Sequence, residues 1–111
     1  MPSSKGVKVK LDRVRTLRYT NRALVMLEDE CGMTAPELMA RVQAGSLKAV
    51  NQLVWAGLLH SDPGLALLDV YDMVDIERLV EIAESVGGAV EAAFGAPESG
   101  EGKAGAAAEK S

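Results

Sequence analysis

Leu17-Arg18-Tyr19-Thr20-Asn21-Arg22-Ala23-Leu24 opens the stretch that decides the fold, Met26-Leu27-Glu28-Asp29-Glu30-Cys31-Gly32 continues it, and Leu53-Val54-Trp55-Ala56-Gly57-Leu58-Leu59 closes it. It reads as a strand feeding three helices in close succession. Thr20 or Asn21 caps the first helix, which runs to Cys31 and stops at Gly32. Leu24, Leu27 and Cys31 fall on one of its faces. Thr34-Ala35-Pro36-Glu37 is a capping box with proline in the first turn, where a missing N–H costs nothing. Leu38, Met39 and Val42 give the second helix its apolar face, and Gly45 ends it. Ser46 caps a third helix over residues 47–59, with a stripe of Leu47, Val50, Val54, Gly57 and Leu58 and with Leu53 alongside.

Working outward, Val7, Val9 and Leu11 alternate with Lys8 and Lys10, which is strand periodicity. Asp12-Arg13 forms a turn into a second strand over residues 14–19. Two strands are too little sheet to stand alone and must pack on helices. On the other side, Ser61-Asp62-Pro63-Gly64 is a turn by composition. Residues 65–68 form an apolar linker without a clear assignment. Asp69 caps a short turn over residues 70–74. Asp75 caps a long last helix in which Ile76, Leu79, Val80, Ala83, Val86, Val90 and Phe94 keep the helical period, with Gly87-Gly88 as a point of bending or ending. From Gly95 onward the composition turns to Gly, Ala, Ser, Glu, Lys and Pro, which predicts a disordered tail. The expected architecture is α+β and mostly helical: a flexible N-terminus over residues 1–6, one domain over residues 7–94 with a β-hairpin packed on about four helices, and the tail over residues 95–111.

The chain has 111 residues, 48% of them hydrophobic, which supplies one compact core. No apolar run reaches the ~18 residues of a membrane span. Met1-Pro2-Ser3-Ser4-Lys5-Gly6 lacks the apolar segment of a secretory signal. Cys31, the single cysteine, forms no intrachain disulfide, which fits a reducing cytoplasm. The net charge of −4 is unevenly spread. The first 22 residues hold seven basic side chains against Asp12, a formal +6, and the remainder holds five basic and fifteen acidic ones, a formal −10. A basic head on an acidic body attracts a polyanion, associates with neighbouring copies, or pairs with its own helices. Local pairing is the default for surface charge.

Candidates for chemistry are few. His60 sits at a helix end, where interaction with terminal carbonyls outweighs a general-base role. Cys31 reads as a small buried hydrophobe. Asp69, Asp72 and Asp75 are spaced by three but lack the further oxygen ligands of a metal site, so caps and a solvated face account for them. The chain has no glycine-rich phosphate loop, nucleophile elbow or paired His-Glu motif. The expectation is a non-enzyme without cofactor or metal. Trp55 reads as a core anchor, with Ala56-Gly57 admitting a close neighbouring helix, or as an interface hot spot if one edge faces out. A helix-turn-helix alternative would use the Gly45-Ser46 turn and offer Lys48, Asn51 and Gln52 to bases. One basic residue on that helix and a strongly acidic body oppose nucleic-acid binding.

The segments Leu17 to Leu24, Leu27-Glu28 with Gly32, and Leu53-Val54-Trp55-Ala56-Gly57-Leu58 resemble the tail assembly chaperones of long-tailed phages and related gene transfer agents. The resemblance covers about residues 7 to 90 and rests on short apolar motifs. It implies a non-enzymatic protein of the bacterial host cytoplasm, absent from the finished particle. Such a protein holds the long helical tape measure protein, keeps it soluble and helps recruit tail tube protein. The basic head and acidic body would let several copies line up along one tape measure, and the composition of the C-terminus is compatible with the longer, frameshifted product that many genes of this family yield. On this reading the partner surface comprises Arg13, Arg15, Arg18, Tyr19, Trp55 and Leu58. A phage structural or connector subunit is a further alternative.

The tail composition yields a first prediction. Truncation after Phe94 should leave the thermal midpoint nearly unchanged, because the removed residues lack apolar groups able to offset ordering entropy. A large drop on truncation would show that the tail packs on the body.

Overall fold

The computed structural model describes residues 6–94. The expectations for residues 1–5 and for the tail over residues 95–111 lie outside the described residues. Two antiparallel strands, β1 (Val7–Lys10) and β2 (Val14–Leu17), form a hairpin packed against five helices. These are α1 (Asn21–Cys31), α2 (Ala35–Gln43), α3 (Leu47–Leu58), α4 (Leu67–Met73) and α5 (Leu79–Phe94), with a 3-10 turn over Ile76–Arg78 leading into α5. The expected mostly helical α+β architecture is the one observed, with one more helix than expected.

Pairing runs Val7 to Leu17, Lys8 to Thr16, Val9 to Arg15 and Lys10 to Val14. Both strands are shorter than their apolar pattern. At the tip, the Leu11 N–H turns inward to the Arg13 carbonyl at 3.0 Å. At the other end, the Arg18 N–H leaves the ladder and donates to the Gly57 carbonyl of α3 at 2.9 Å. Helix boundaries follow their caps. The Thr20 hydroxyl accepts from the Ala23 N–H at 3.1 Å, and Gly32 closes α1 at φ 70°. The Thr34–Glu37 capping box is reciprocal, at 2.8 and 3.3 Å. Gly45, at φ 96°, turns the chain out of α2, and Ser46 accepts from the Ala49 N–H at 3.1 Å to start α3.

Helix α3 is the centre of the molecule. Every residue from Ala49 to Leu58 except Asn51 is buried, including Gln52. A helix apolar on all sides must be surrounded, and α1, α2, α4, α5 and β2 all pack on it. The expected single stripe therefore understates its burial, and Leu47, placed in that stripe, is exposed. The close approach expected at Gly57 is also present, but a strand makes it. A Cβ built there would lie 2.8 Å from Leu17 Cδ2, 3.2 Å from Leu17 Cβ and 3.4 Å from Tyr19 Cζ.

The C-terminal end of α3 lacks a left-handed cap, so its carbonyls need other donors. Gly57 is served by Arg18, and Leu58 by the N–H groups of Ser61 and Asp62. Strand and helix end satisfy each other's backbone. Two side chains tighten the same junction: the Tyr19 hydroxyl donates to the Leu53 carbonyl at 2.6 Å, and His60 Nε2 donates to the Thr16 carbonyl at 2.8 Å.

Two sequence expectations need correction. Helix α4 begins at Leu67, inside the unassigned linker, and Asp69 lies in its first turn rather than capping it; Ala66 occupies the cap position without a side-chain bond. In α5 the buried face is Ile82, Val86, Ala89 and Val90, whereas Ile76, Val80 and Phe94 are exposed. Asp75 does cap, accepting from the Glu77 N–H at 3.0 Å, but what it starts is the 3-10 turn. That turn winds about 120° per residue against about 100° in an α-helix, so three residues rotate the later phase by about 60°. Helix α5 then runs unbroken through Gly87-Gly88.

Two substitutions separate the packing terms. Trp55→Ala should cost about 3–5 kcal/mol, because the ring is buried. Gly57→Ala gains ~1 kcal/mol in helix propensity but overpacks a fully buried Leu17, at a cost of about 1–3 kcal/mol. A lowered midpoint in chemical denaturation is expected, smaller than that of Trp55→Ala. A raised midpoint would show that the strand does not press on α3 at this position.

Candidate functional site

The residues first assigned to a partner surface divide sharply. Tyr19, Trp55 and Leu58 are only 4%, 6% and 1% exposed, so they belong to the core and offer nothing to a partner. Burial pushes the Tyr19 phenol far above its ordinary range and keeps it a neutral donor to Leu53. The Trp55 indole N–H donates to the Leu65 carbonyl at 2.9 Å, which pins the segment leading into α4. Such amphipathic rings are placed by the same sequence features whether they anchor a core or an interface.

Arg13 and Arg18 are exposed on the hairpin side, together with Lys8 and Lys10. Arg15 is different: its guanidinium grips Asp12 with two bonds of 2.8 and 2.9 Å across the hairpin turn. That bond holds the Asp12 carboxyl down at about 2, and Asp12 in turn raises Arg15. Among the described residues the only other ion pair joins Arg78 to Glu81 at 3.8 Å. The basic hairpin therefore does not neutralise itself on the acidic helices, and its other cations face solvent.

The other chemistry-bearing side chains are committed to structure. His60 is tied to β2 through Thr16, not to the carbonyls of its own helix end. Cys31 is half-buried against the core, and burial together with Glu30 raises its thiol, which disfavours the thiolate. No group of three or more histidine, cysteine, aspartate or glutamate side chains able to hold a metal ion occurs among the described residues. Of the three residues offered to bases in the helix-turn-helix alternative, Gln52 is buried and Asn51 donates back to the Leu47 carbonyl at 2.8 Å. Lys48 is exposed, and α3 from Ala49 onward, Asn51 apart, is buried in the core. No helix among the described residues is long and apolar enough to cross a membrane.

What sequence reasoning missed is a face made of exposed large apolar side chains. Leu47, Tyr71 and Ile76 line one shallow hollow of about 260 Å³ with Asn51, Val74 and Leu79. Leu68 precedes Tyr71 by about one helical turn on α4, and Val80 is exposed at the start of α5. Leu68, Ile76 and Val80 are 72%, 68% and 72% exposed. Between residues 67 and 84 the chain carries six acidic side chains and one basic one, Arg78. Asp69, Asp72, Asp75 and Glu77 are all exposed. Leu47, Tyr71 and Ile76, uncovered around one hollow and interleaved in sequence with acidic residues, form a surface suited to another protein, because scattered single apolar residues need no partner but a cluster of them does. In the sequence Leu47, Ile76 and Val80 were absorbed into helix stripes, and Leu68 and Tyr71 lay in the unassigned linker and the short turn after it.

Compared with protein-family models, with curated proteins and with solved structures, the chain finds no match in any of the three.

The hairpin clamp makes a pH prediction. The folded Asp12 carboxyl lies below its ordinary 3.8. The pair is therefore intact above about pH 4 and is lost as pH falls through about 2. NMR titration of Asp12 should give a midpoint near 2 that returns toward 3.8 in Arg15→Gln. An unchanged midpoint in the variant would show that the clamp is absent in solution.

Proposed function

We propose that this chain is a non-enzymatic protein-binding module of the phage tail assembly chaperone kind, which holds a helical tape measure protein and helps recruit tail tube subunits in the host cytoplasm. The observation that carries the reading is the acidic face studded with uncovered apolar side chains across the N-terminal end of α3, α4 and the start of α5. A chaperone for a long amphipathic helix needs such a surface. Apolar contacts supply affinity, and charge excludes wrong partners and sets register. The resemblance in sequence supports the same reading. Its two separated motifs meet in space, with Leu17 and Tyr19 lying against Gly57 and Leu53. These motif residues serve the fold, so the partner surface lies elsewhere on the molecule.

The hairpin gives the reading a second part. Lys8, Lys10, Arg13 and Arg18 form a basic patch that the body leaves unpaired. Neighbouring copies with acidic faces complement it, so several copies can line up along one tape measure. Arg15 is excluded from this surface because it clamps its own turn.

Two measurements test the proposal. Co-expression with a tape measure segment should keep that segment in the soluble fraction, where alone it aggregates. Failure to solubilise any such segment overturns the chaperone reading. Lys10→Glu, Arg13→Glu and Arg18→Glu together should weaken self-association in sedimentation velocity, while circular dichroism and thermal midpoint stay near wild type. Loss of the fold in this variant would mean that the cations are internal partners.

A further inference from the structure

Gln52, at 5% exposed, is a polar side chain in a helix whose other buried residues are apolar. Its amide has no hydrogen-bond partner among the described residues, yet neither of its polar atoms is sealed from solvent as Asn51 Oδ1 is. The amide end therefore reaches the surface. The opening it borders is a hollow of about 240 Å³, where the C-terminal end of α1 and helix α2 meet the first turns of α3. A largely desolvated amide without a partner costs stability, and an apolar side chain of the same length would remove that cost.

Charge in this hollow is also uncompensated. Arg41 and Lys48 line it together with Glu30, and none of the three takes part in an ion pair among the described residues. The Arg41 Nε donates to the Met33 sulfur at 3.0 Å, a weak acceptor that steadies the guanidinium without neutralising it. Two cations and one carboxylate leave a formal +1. Ser46 lines the hollow as well, and with it comes the positive N-terminal end of α3.

We infer that this hollow binds a monocarboxylate carrying a neighbouring amide N–H, the chemistry shared by the free C-terminus of a polypeptide and an N-acylated amino acid. The carboxylate meets Arg41 and Lys48. A formal +1 suits one negative charge, and Glu30 opposes a second, which disfavours a phosphate. Gln52 selects further, because its Nε2 donates and its Oε1 accepts. A bare acid only accepts and leaves Oε1 unmatched, whereas an acid with an N–H beside it satisfies both ends of the amide. Met33 and Ala49 supply an apolar wall for one aliphatic side chain. The hollow shares no residue with the one lined by Tyr71 and Ile76, so the inference stands apart from the chaperone reading.

The test uses the full chain at about 150 mM salt, where distant charges are screened. The probes are a fluorescein-labelled pentapeptide ending in leucine with a free C-terminus, and the same peptide as its C-terminal amide. Anisotropy should show saturable one-to-one binding of the free acid, with the amide at least about tenfold weaker. N-acetylleucine should compete, and isocaproate, the same acid without the amide, should compete at least about tenfold less well. Lys48→Glu and Gln52→Met should each weaken the free acid by about tenfold. The thermal midpoint of Gln52→Met should hold or rise, since a merely structural glutamine would lower it. Arg22→Glu, the same charge change at an exposed position on α1, should leave affinity within about twofold. Bound free acid should slow alkylation of Cys31 by iodoacetamide, because Cys31 lines the same hollow.

Equal binding of the free-acid and amide peptides overturns the inference, as does the absence of saturable binding or wild-type affinity in both Lys48→Glu and Gln52→Met. Binding that leaves Cys31 alkylation at its unliganded rate places the ligand elsewhere and overturns it too. Isocaproate competing as well as N-acetylleucine overturns the part given to Gln52. The remaining comparison separates the two sources of the same chemistry. A peptide bound at least about tenfold tighter than N-acetylleucine supports a polypeptide end, and equal binding supports the small acid.

Discussion

Leu17 pressed against Gly57 is the contact on which the rest of the structure depends. A two-stranded hairpin does not hold together in water by itself, and an apolar helix such as α3 does not stay in solution uncovered. Each solves the other's problem where the strand runs onto the helix. Glycine at position 57 leaves room for the Leu17 side chain, whose nearest atom would meet a Cβ at 2.8 Å. That proximity brings the Arg18 N–H to the Gly57 carbonyl, the Tyr19 hydroxyl to Leu53 and the His60 ring to Thr16. Backbone groups that would otherwise be buried without partners are thereby satisfied at the least regular point of the fold. The remaining helices then close around α3, each contributing one modest apolar face.

The parts of this fold that were legible in the sequence are those set by local chemistry. Thr20, the Thr34–Glu37 pair, Ser46, Gly32 and Gly45 mark helix ends through bonds within three or four residues, and all of them act as read. Period-two alternation found the hairpin for the same reason. Quantities that depend on distant neighbours were not legible. Nothing local says that α3 is wrapped on every side, although the absence of any charge between Ala49 and Leu59 was a usable sign. The phase of α5 was misread because a three-residue 3-10 turn precedes it, and a 3-10 turn has no distinct residue signature. Tyr19, Trp55 and Leu58 were assigned to a partner surface because large amphipathic side chains suit interfaces and cores equally. Only their burial in the fold separates the two.

Charge in this molecule is organised by surface, not by pairing. Asp12 and Arg15 clamp the hairpin tip, Glu37 completes a cap and Asp75 starts a turn. Lys8, Lys10, Arg13 and Arg18 lie outside any ion pair on one side, while most of the carboxylates of residues 67–84 face solvent without a cation beside them. Exposed pairs contribute little to stability in any case. Two surfaces of opposite sign cost the monomer little and gain long-range attraction for whatever meets them. That arrangement suits a protein whose work is association. It also means that stability resides in the α3 core and can be altered there without touching the charged surfaces, and the reverse.

One costly feature persists at the edge of the core. Where local rules are obeyed throughout, the places that break them mark either strain or use. Around α3 the rules are obeyed closely: carbonyls at its end have donors, its buried side chains other than Gln52 are apolar, and its glycine is required by contact. At Asn51 the pattern breaks: its amide nitrogen is taken by the Leu47 carbonyl, while its Oδ1 is shut away from water without a partner. Leucine would fill that position without an orphaned acceptor, and the rest of the helix shows that the sequence uses apolar residues freely. Nothing in the packing of α3 needs the asparagine oxygen, so this position holds the stability of the core below what an apolar residue would give.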